Sequence, residues 1–215
     1  MGDDMRADDM RADDMRAADC ASRTEPQVRA PGSDDPEELF DLVDLHDRVI
    51  GQIRRSDAHR NPALLHRSVQ ILVFARDGRL LLQRRSQTKD LFPGYYCASA
   101  SGHVASGEEY AAAARREIVE ELGIAPKLRY VGKALVRSEP ETELTALFLA
   151  RCDGPFAFSP TETVGGAFFT LSELRAHRDN ESLPLTPAAQ VALDELDRLA
   201  REGILDAYLA GEQSP

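Results

Sequence analysis

Residues 102–124 read "GHVASGEEYAAAARREIVEELGI". Glu117, Glu120 and Glu121 fall within five positions, with Arg116 beside them. The pattern predicts a helix from about Glu108 to Leu122, closed by Gly123 as its C-cap. With Ile118 as the reference and about 100° per residue, Ala111, Ala114, Ile118 and Leu122 form one stripe, the face turned to a core. The three glutamates share a neighbouring arc of about 100°. Like charges three and four residues apart repel by a few tenths of a kcal/mol per pair, so a cation among them would relieve the helix. Oxygen ligands without sulfur suit Mg²⁺ or Mn²⁺. A solvated acidic face is the other reading that these residues alone leave open.

Upstream, "EELFDLVDLHDRVIGQIRR" reads as two short strands around a turn at His46-Asp47, and "SVQILVFARDGRLLLQRR" as a hairpin around Asp77-Gly78. "YYCASASG" reads as a further strand ending at Gly102. Downstream, strands are expected at "LRYVGKALVR", "ELTALFLAR" and "GGAFFTL", a short helix at "LSELRAH", and one long terminal helix over "TPAAQVALDELDRLAREGILDAYL" with Pro187 in its first turn. Strands that pair locally, separated by helices, give an α/β or α+β class with a mixed sheet.

The chain of 215 residues has a formal net charge of −11. Residues 1–38 supply −7 of it, so the remainder carries only −4. "DDMRA" occurs three times in tandem in that segment, which offers little apolar surface to bury. Residues 1–36 are expected to be a disordered acidic tail and 37–212 a single folded domain. A pI near 4.9 with scattered bases opposes nucleic-acid binding. Three cysteines without a CxxC pair argue against a disulfide framework or a zinc ribbon. No apolar run approaches the ~18 residues of a membrane span. With no apolar signal segment either, a cytoplasmic protein without a membrane partner is expected. Its oligomeric state is not encoded legibly.

From Gly102 the stretch matches a spacing of glycine, five residues, glutamate, seven residues, then Arg-Glu-apolar-any-Glu-Glu-any-Gly-apolar. The residues are Gly102, Glu108, Arg116, Glu117, Ile118, Glu120, Glu121, Gly123 and Ile124. This resembles the Nudix superfamily at every restricted position. The resemblance implies a Nudix α/β/α sandwich with a mixed sheet. It also implies Mg²⁺ or Mn²⁺ held by Glu117, Glu120 and Glu121, with Arg116 orienting Glu117, and a small-molecule diphosphate as substrate. The physics agrees, because divalent ions neutralise a polyanionic substrate and lower the pKa of a bound water.

"QRRSQTKDLFPGYY" extends the resemblance, over roughly residues 39–175, to type I isopentenyl-diphosphate isomerases and the Nudix hydrolases related to them. That branch implies a second metal centre, for which His59, His66, His103, Glu141 and Glu143 are the counterparts. Glu141 and Glu143 stand two apart and are expected on one face of a strand. Mixed imidazole and carboxylate ligands favour Zn²⁺ or Mn²⁺. Arg85 and Lys89 match positions that grip diphosphate, and Arg55 is a further candidate. The isomerases, however, carry a cysteine where this chain has Ser101, and a tryptophan where this chain has none. A hydroxyl is far less acidic than a thiol, and Cys97, about 13 Å along a continuous strand, is too far to replace it. The sequence therefore favours a metal-dependent hydrolase of phosphoanhydride bonds over an isomerase.

Overall fold

The structure is a computed structural model that describes residues 35–89, 91–160 and 162–211. The expected acidic tail lies outside them, save for its last two residues. Nine strands form one mixed sheet. Its axis is β3 (Leu65–Phe74), apolar over Ile71–Phe74 and buried along nearly its whole length. Such a run suits a strand covered on both faces. One edge of β3 pairs in parallel along its full length with β8 (Thr142–Arg151), and β8 pairs in turn with antiparallel β7 (Arg129–Arg137). The other edge is shared by three strands in succession. β1 (Leu39–Val43) meets it at Leu42↔His66, β6 (Ala100–His103) over Ser68–Ile71, and β4 (Leu80–Arg85) at Phe74↔Leu80. β2 (Val49–Arg54) lies outside β1, while β5 (Tyr96–Cys97) and β9 (Thr163–Phe169) pair with β4.

Alternation along β3 divides the core. Val69, Ile71 and Val73 pack with Ala114, Ile118 and Leu122 of α2 (Tyr110–Leu122). Leu72 and Phe74 pack on the opposite face with Leu174 of α3 (Leu171–Asp179), Leu193 and Leu196 of α4 (Pro187–Arg201), and Leu205 of α5 (Ile204–Leu209). Between β2 and β3 lies a single turn, α1 (Arg55–Ala58). The result is the α/β/α sandwich with a mixed sheet that the sequence implies.

The local grammar accounts for most boundaries. Thr170 and Glu173 form a capping box at α3, and Thr186 with Pro187 opens α4. Gly123 closes α2 at φ 66°, where a side chain would also meet Ala157 Cβ at 2.9 Å.

Five expectations need correction. The box helix begins at Tyr110, because Glu109 keeps extended backbone as its N-cap. Ala111 is exposed and Ala113 is buried in its place, since a wheel gives the angle of a residue but not where along the axis the sheet ends. "YYCASASG" is two strands, not one. Between them Ser99 Oγ accepts from Val73 N at 2.7 Å and donates to Leu81 O at 2.6 Å, so a side chain replaces the ladder where β3 and β4 diverge. The terminal helix is two, broken at Gly203 with φ 72°. Cys152 is disulfide-bonded while Cys97 is a buried free thiol.

Candidate active site

Strand β6 and helix α2 build the first cluster. Gly102 faces α2, and a Cβ placed there would lie 2.1 Å from Glu117 Cδ and Oε1. The glycine is therefore a seat for the Glu117 carboxylate, a tighter role than loop geometry. Arg116 pairs with Glu117, reaches Glu108 at 2.8 and 3.1 Å, stands 3.7 Å from Glu120, and donates to His103 O at 3.0 Å. Its guanidinium is thus occupied in fixing the box. Glu108 also accepts from Ala105 N at 3.1 Å and anchors the loop before the helix. Asp41 of β1 holds the same loop, accepting from Ser106 Oγ at 2.6 Å and Gly107 N at 3.1 Å.

Glu121 is held from outside the box. Gln83 Nε2 donates to its Oε2 at 2.6 Å and to Ser99 O at 2.5 Å, and Ser101 N donates to its Oε1 at 3.4 Å. Burial pushes the Glu121 carboxyl well above the usual range, and the charges of Glu117 and Glu162 add to this, against those two hydrogen bonds.

The second cluster lies on the opposite face of the sheet. His59 follows α1, His66 is on β3, His103 on β6, and Glu141 immediately precedes β8. Only Glu143 of the expected pair is within the strand. One ligand atom from each of His59, His66, His103 and Glu141 falls within 4.8 Å of the others. His59 Nε2 is 3.1 Å from His103 Nε2 and 3.2 Å from Glu141 Oε2, and His103 Nε2 is 3.5 Å from Glu143 Oε1. Phe40 stacks beneath at 4.7 Å from the His103 ring and 5.3 Å from His66.

Two buried polar atoms here, His66 Nε2 and Glu141 Oε2, have no hydrogen-bond partner. Burial lowers His66 to a pKa of about 4 and holds His103 well below its ordinary value, so it favours the neutral ring at both. Neutral imidazoles beside carboxylates, with orphaned atoms facing one another, fit a divalent cation. Arg55 Nη1 lies 3.1 Å from His103 Nδ1 and can only donate. The His103 proton is then on Nε2, so ligation through that atom requires Arg55 to move away.

Of the expected phosphate contacts, Lys89 pairs with Glu162 at 2.9 Å, and Arg85 Nε donates to Leu91 O at 3.0 Å. Glu162, Gln83 and Phe40 did not figure in the sequence reading. Gln83 had a weak signal, the first polar residue after the apolar triplet of "LLLQRR". Glu162 had none, because its loop reaches the site through Ser159 N on Glu121 O and Ser86 N on Glu162 O.

The NUDIX domain family matches residues 64–189. The chain is similar to an isopentenyl-diphosphate Delta-isomerase from Nocardia farcinica, 33% identical over 75% of this chain and 96% of the relative. It is also similar to an uncharacterized Nudix hydrolase from Pseudomonas aeruginosa, 37% identical over 73% and 91%. Among solved structures, DR0079 from Deinococcus radiodurans aligns at 31% identity and a TM-score of 0.62, covering 72% of this chain and 98% of that one. The match spans the seat of Glu117, the three box glutamates and most of the histidine cluster: this chain belongs to the Nudix family, in a branch that holds both Nudix hydrolases and isopentenyl-diphosphate isomerases.

Proposed function

We propose that this Nudix hydrolase of pyrophosphate bonds works with Mg²⁺ or Mn²⁺ on a nucleoside diphosphate derivative or a related small-molecule diphosphate. What supports the reading is Glu117 on its glycine seat, paired with Arg116, which also stands 3.7 Å from Glu120, and Glu121 held nearby by Gln83 and Ser101. These three carboxylates would hold the ions. When bound, such ions neutralise the diphosphate and lower the pKa of a water. Lys89 and Arg85 would meet the phosphates, Lys89 exchanging Glu162 for substrate oxygens. Water attacks one phosphorus, the bond to the bridging oxygen breaks, and two phosphorylated or phosphate products leave. His59, His66, His103 and Glu141, with Glu143 alongside, would form a second centre for Zn²⁺ or Mn²⁺. Among the described residues no helix is long and apolar enough to cross a membrane.

The test is a panel of nucleoside di- and triphosphates, dinucleotides and isoprenoid diphosphates with each metal and product identification. Metal-dependent release of phosphate or a monophosphate, abolished in Glu121→Gln, is the expected result. No turnover anywhere on the panel would sink the reading. The isomerase-named relatives favour a second reading. Ser101 is a hydroxyl where that chemistry needs a thiol, so no allylic isomer is expected from isopentenyl diphosphate. Its appearance would replace hydrolysis by isomerisation.

A further inference from the structure

Residues 104–109 join β6 to α2, and this loop is held from outside the box. Val104 N donates to Arg67 O at 3.0 Å and Ser106 N to Leu39 O at 2.8 Å. Asp41, on β1 and only 6% exposed, accepts from Ser106 Oγ at 2.6 Å and from Gly107 N at 3.1 Å. Ser106 Oγ gives its one proton to that carboxylate, so Gln52 Nε2, at 2.5 Å, donates to the hydroxyl oxygen. Arg67 links this support to a second one. Its Nη1 lies 3.5 Å from Asp41, and its Nε donates at 2.6 Å to Asp47. Asp47 also accepts at 3.2 Å from the hydroxyl of Tyr110, the first residue of α2.

A carboxylate buried as Asp41 is costs free energy unless it is hydrogen-bonded and paired. The strand itself does not call for one. The β1 backbone already meets the loop through Leu39 O and through the bridge between Phe40 and Ala105. What Asp41 adds is the placement of Gly107, at φ 77°, and of Glu108 directly after it. Glu108 takes Arg116 at 2.8 and 3.1 Å, and Arg116 pairs with Glu117 on its glycine seat. An unbroken line of contacts thus runs from β1 through the loop to a box carboxylate. The family match begins at residue 64, so Asp41 and Asp47 both lie outside it.

We infer that Asp41 is a positioning residue of the box: by fixing Ser106 and Gly107 it places Glu108, and through Arg116 it sets where the Glu117 carboxylate stands for a divalent ion. The inference rests on the hydrolase reading above and adds to it a residue that touches neither ion nor substrate. Without the Asp41 carboxylate the loop keeps its backbone bonds to Leu39 and Arg67. Gly107 is then released, Glu108 moves with it, and Glu117 loses its fixed partner.

The experiment titrates the full chain with Mn²⁺ in calorimetry, with and without methylenediphosphonate, and assigns to the box the site that Glu121→Gln abolishes. Asp41→Ala should weaken that site about tenfold. Turnover of the best panel substrate should lose about tenfold or more in kcat with KM within about threefold, because Arg85 and Lys89 are untouched. Asp41→Asn can turn its oxygen to Gly107 N and its NH₂ to Ser106 Oγ, so it should restore the affinity to within about threefold of wild type. Glu108→Ala should weaken the site by itself, and adding Asp41→Ala should cost no more than about twofold further, since the effect passes through Glu108. A role in stability alone would lower the melting temperature and leave Mn²⁺ affinity within about twofold, and that result overturns the inference. So do single-variant losses that multiply in the double variant, or no recovery in Asp41→Asn. If Asp41→Ala does not fold, Ser106→Ala, which removes one of the two contacts, carries the test: Mn²⁺ binding about threefold weaker is expected, and an unchanged affinity overturns the inference. A box whose Mn²⁺ affinity depends on Asp41 while nothing on the panel turns over keeps the positioning role and discards hydrolysis. Full affinity and turnover in Asp41→Ala does the reverse.

Discussion

Gly102→Ala isolates one contact. Gly102 has no positive φ to make a side chain strained, so the whole effect is steric. The new Cβ would lie 2.1 Å from Glu117 Cδ and Oε1 and 2.6 Å from Oε2, against the 3.0 Å below which such contacts essentially do not occur. The carboxylate must retreat by about 0.9 Å or more, and it takes with it the pair to Arg116. The clashing atoms end a flexible side chain, which eases the shift, but Glu117 is buried and paired with Arg116, so the cost falls within the about 1–3 kcal/mol of overpacking. At about 2–4 °C per kcal/mol for a chain of this length, the melting temperature falls by about 2–12 °C. A ligand displaced by roughly 1 Å costs on the order of 10²-fold in rate. The assay pairs thermal melts with Mn²⁺ calorimetry and turnover of the best panel substrate. The double variant Gly102→Ala/Glu117→Ala removes the clashing group, so stability should return while activity does not. The reasoning is refuted if Gly102→Ala keeps Mn²⁺ affinity and turnover within about threefold, or if the double variant is no more stable than the single one.

Three further outcomes are expected. Gln83→Met removes a hydrogen bond to a carboxylate, worth about 1.5–3 kcal/mol, and should weaken Mn²⁺ binding at the box by roughly ten- to a hundredfold in calorimetry; unchanged affinity would free Glu121 from Gln83. Arg55→Met releases the His103 tautomer, so Zn²⁺ or Mn²⁺ should bind the histidine cluster more tightly than in wild type when no diphosphate is present, while KM for the diphosphate rises; weaker metal binding would contradict the assigned proton position. Burial and the neighbouring Glu141 push Glu143 up to about 8, so the metal-free fold favours the protonated acid and loses stability as pH rises from about 4.5 through 8. Burial pulls His66 down to about 4, which stabilises the fold as pH rises from 4 to about 6.5 and is spent above that. Between pH 6.5 and 8 the carboxyl effect therefore remains. Metal binding at pH 7 should release about one proton, read by calorimetry in buffers of different ionisation enthalpy and lost in Glu143→Gln; no buffer dependence would refute it.

The box was legible because its chemistry is local. Glu117, Glu120 and Glu121 are neighbours on any α-helix, whatever the rest of the chain does. The second cluster is drawn from four separate segments between His59 and Glu143. Only resemblance grouped those residues; no periodicity could. What supports each centre was less visible still. Gln83 is the first polar residue after the apolar triplet of β4, a pattern that names no partner. Phe40 read as an ordinary core residue, and its stacking on two imidazoles depends on β1 pairing with β3 at His66. Asp47 read as a turn residue, yet it accepts from Arg67 at 2.6 Å and Tyr110 at 3.2 Å, tying the β1–β2 turn to α2. Breaks such as Ser99 and Gly203 depend on where strands diverge and helices run out of core to cover.

Strand β6 is four residues long, and its period of two gives each clustered site its own set of positions: Gly102 serves the box, while Ser101 and His103 serve the opposite face. Substitutions on one parity leave the other's side chains in place. A lineage can therefore exchange the group at 101, serine for thiol, without displacing the Glu117 carboxylate from its glycine seat. The same four residues also forbid any shift of register, because a slip by one would present a histidine to Glu117 and a glycine to the imidazoles. Chemical versatility on this scaffold is bounded by a ladder that must not move.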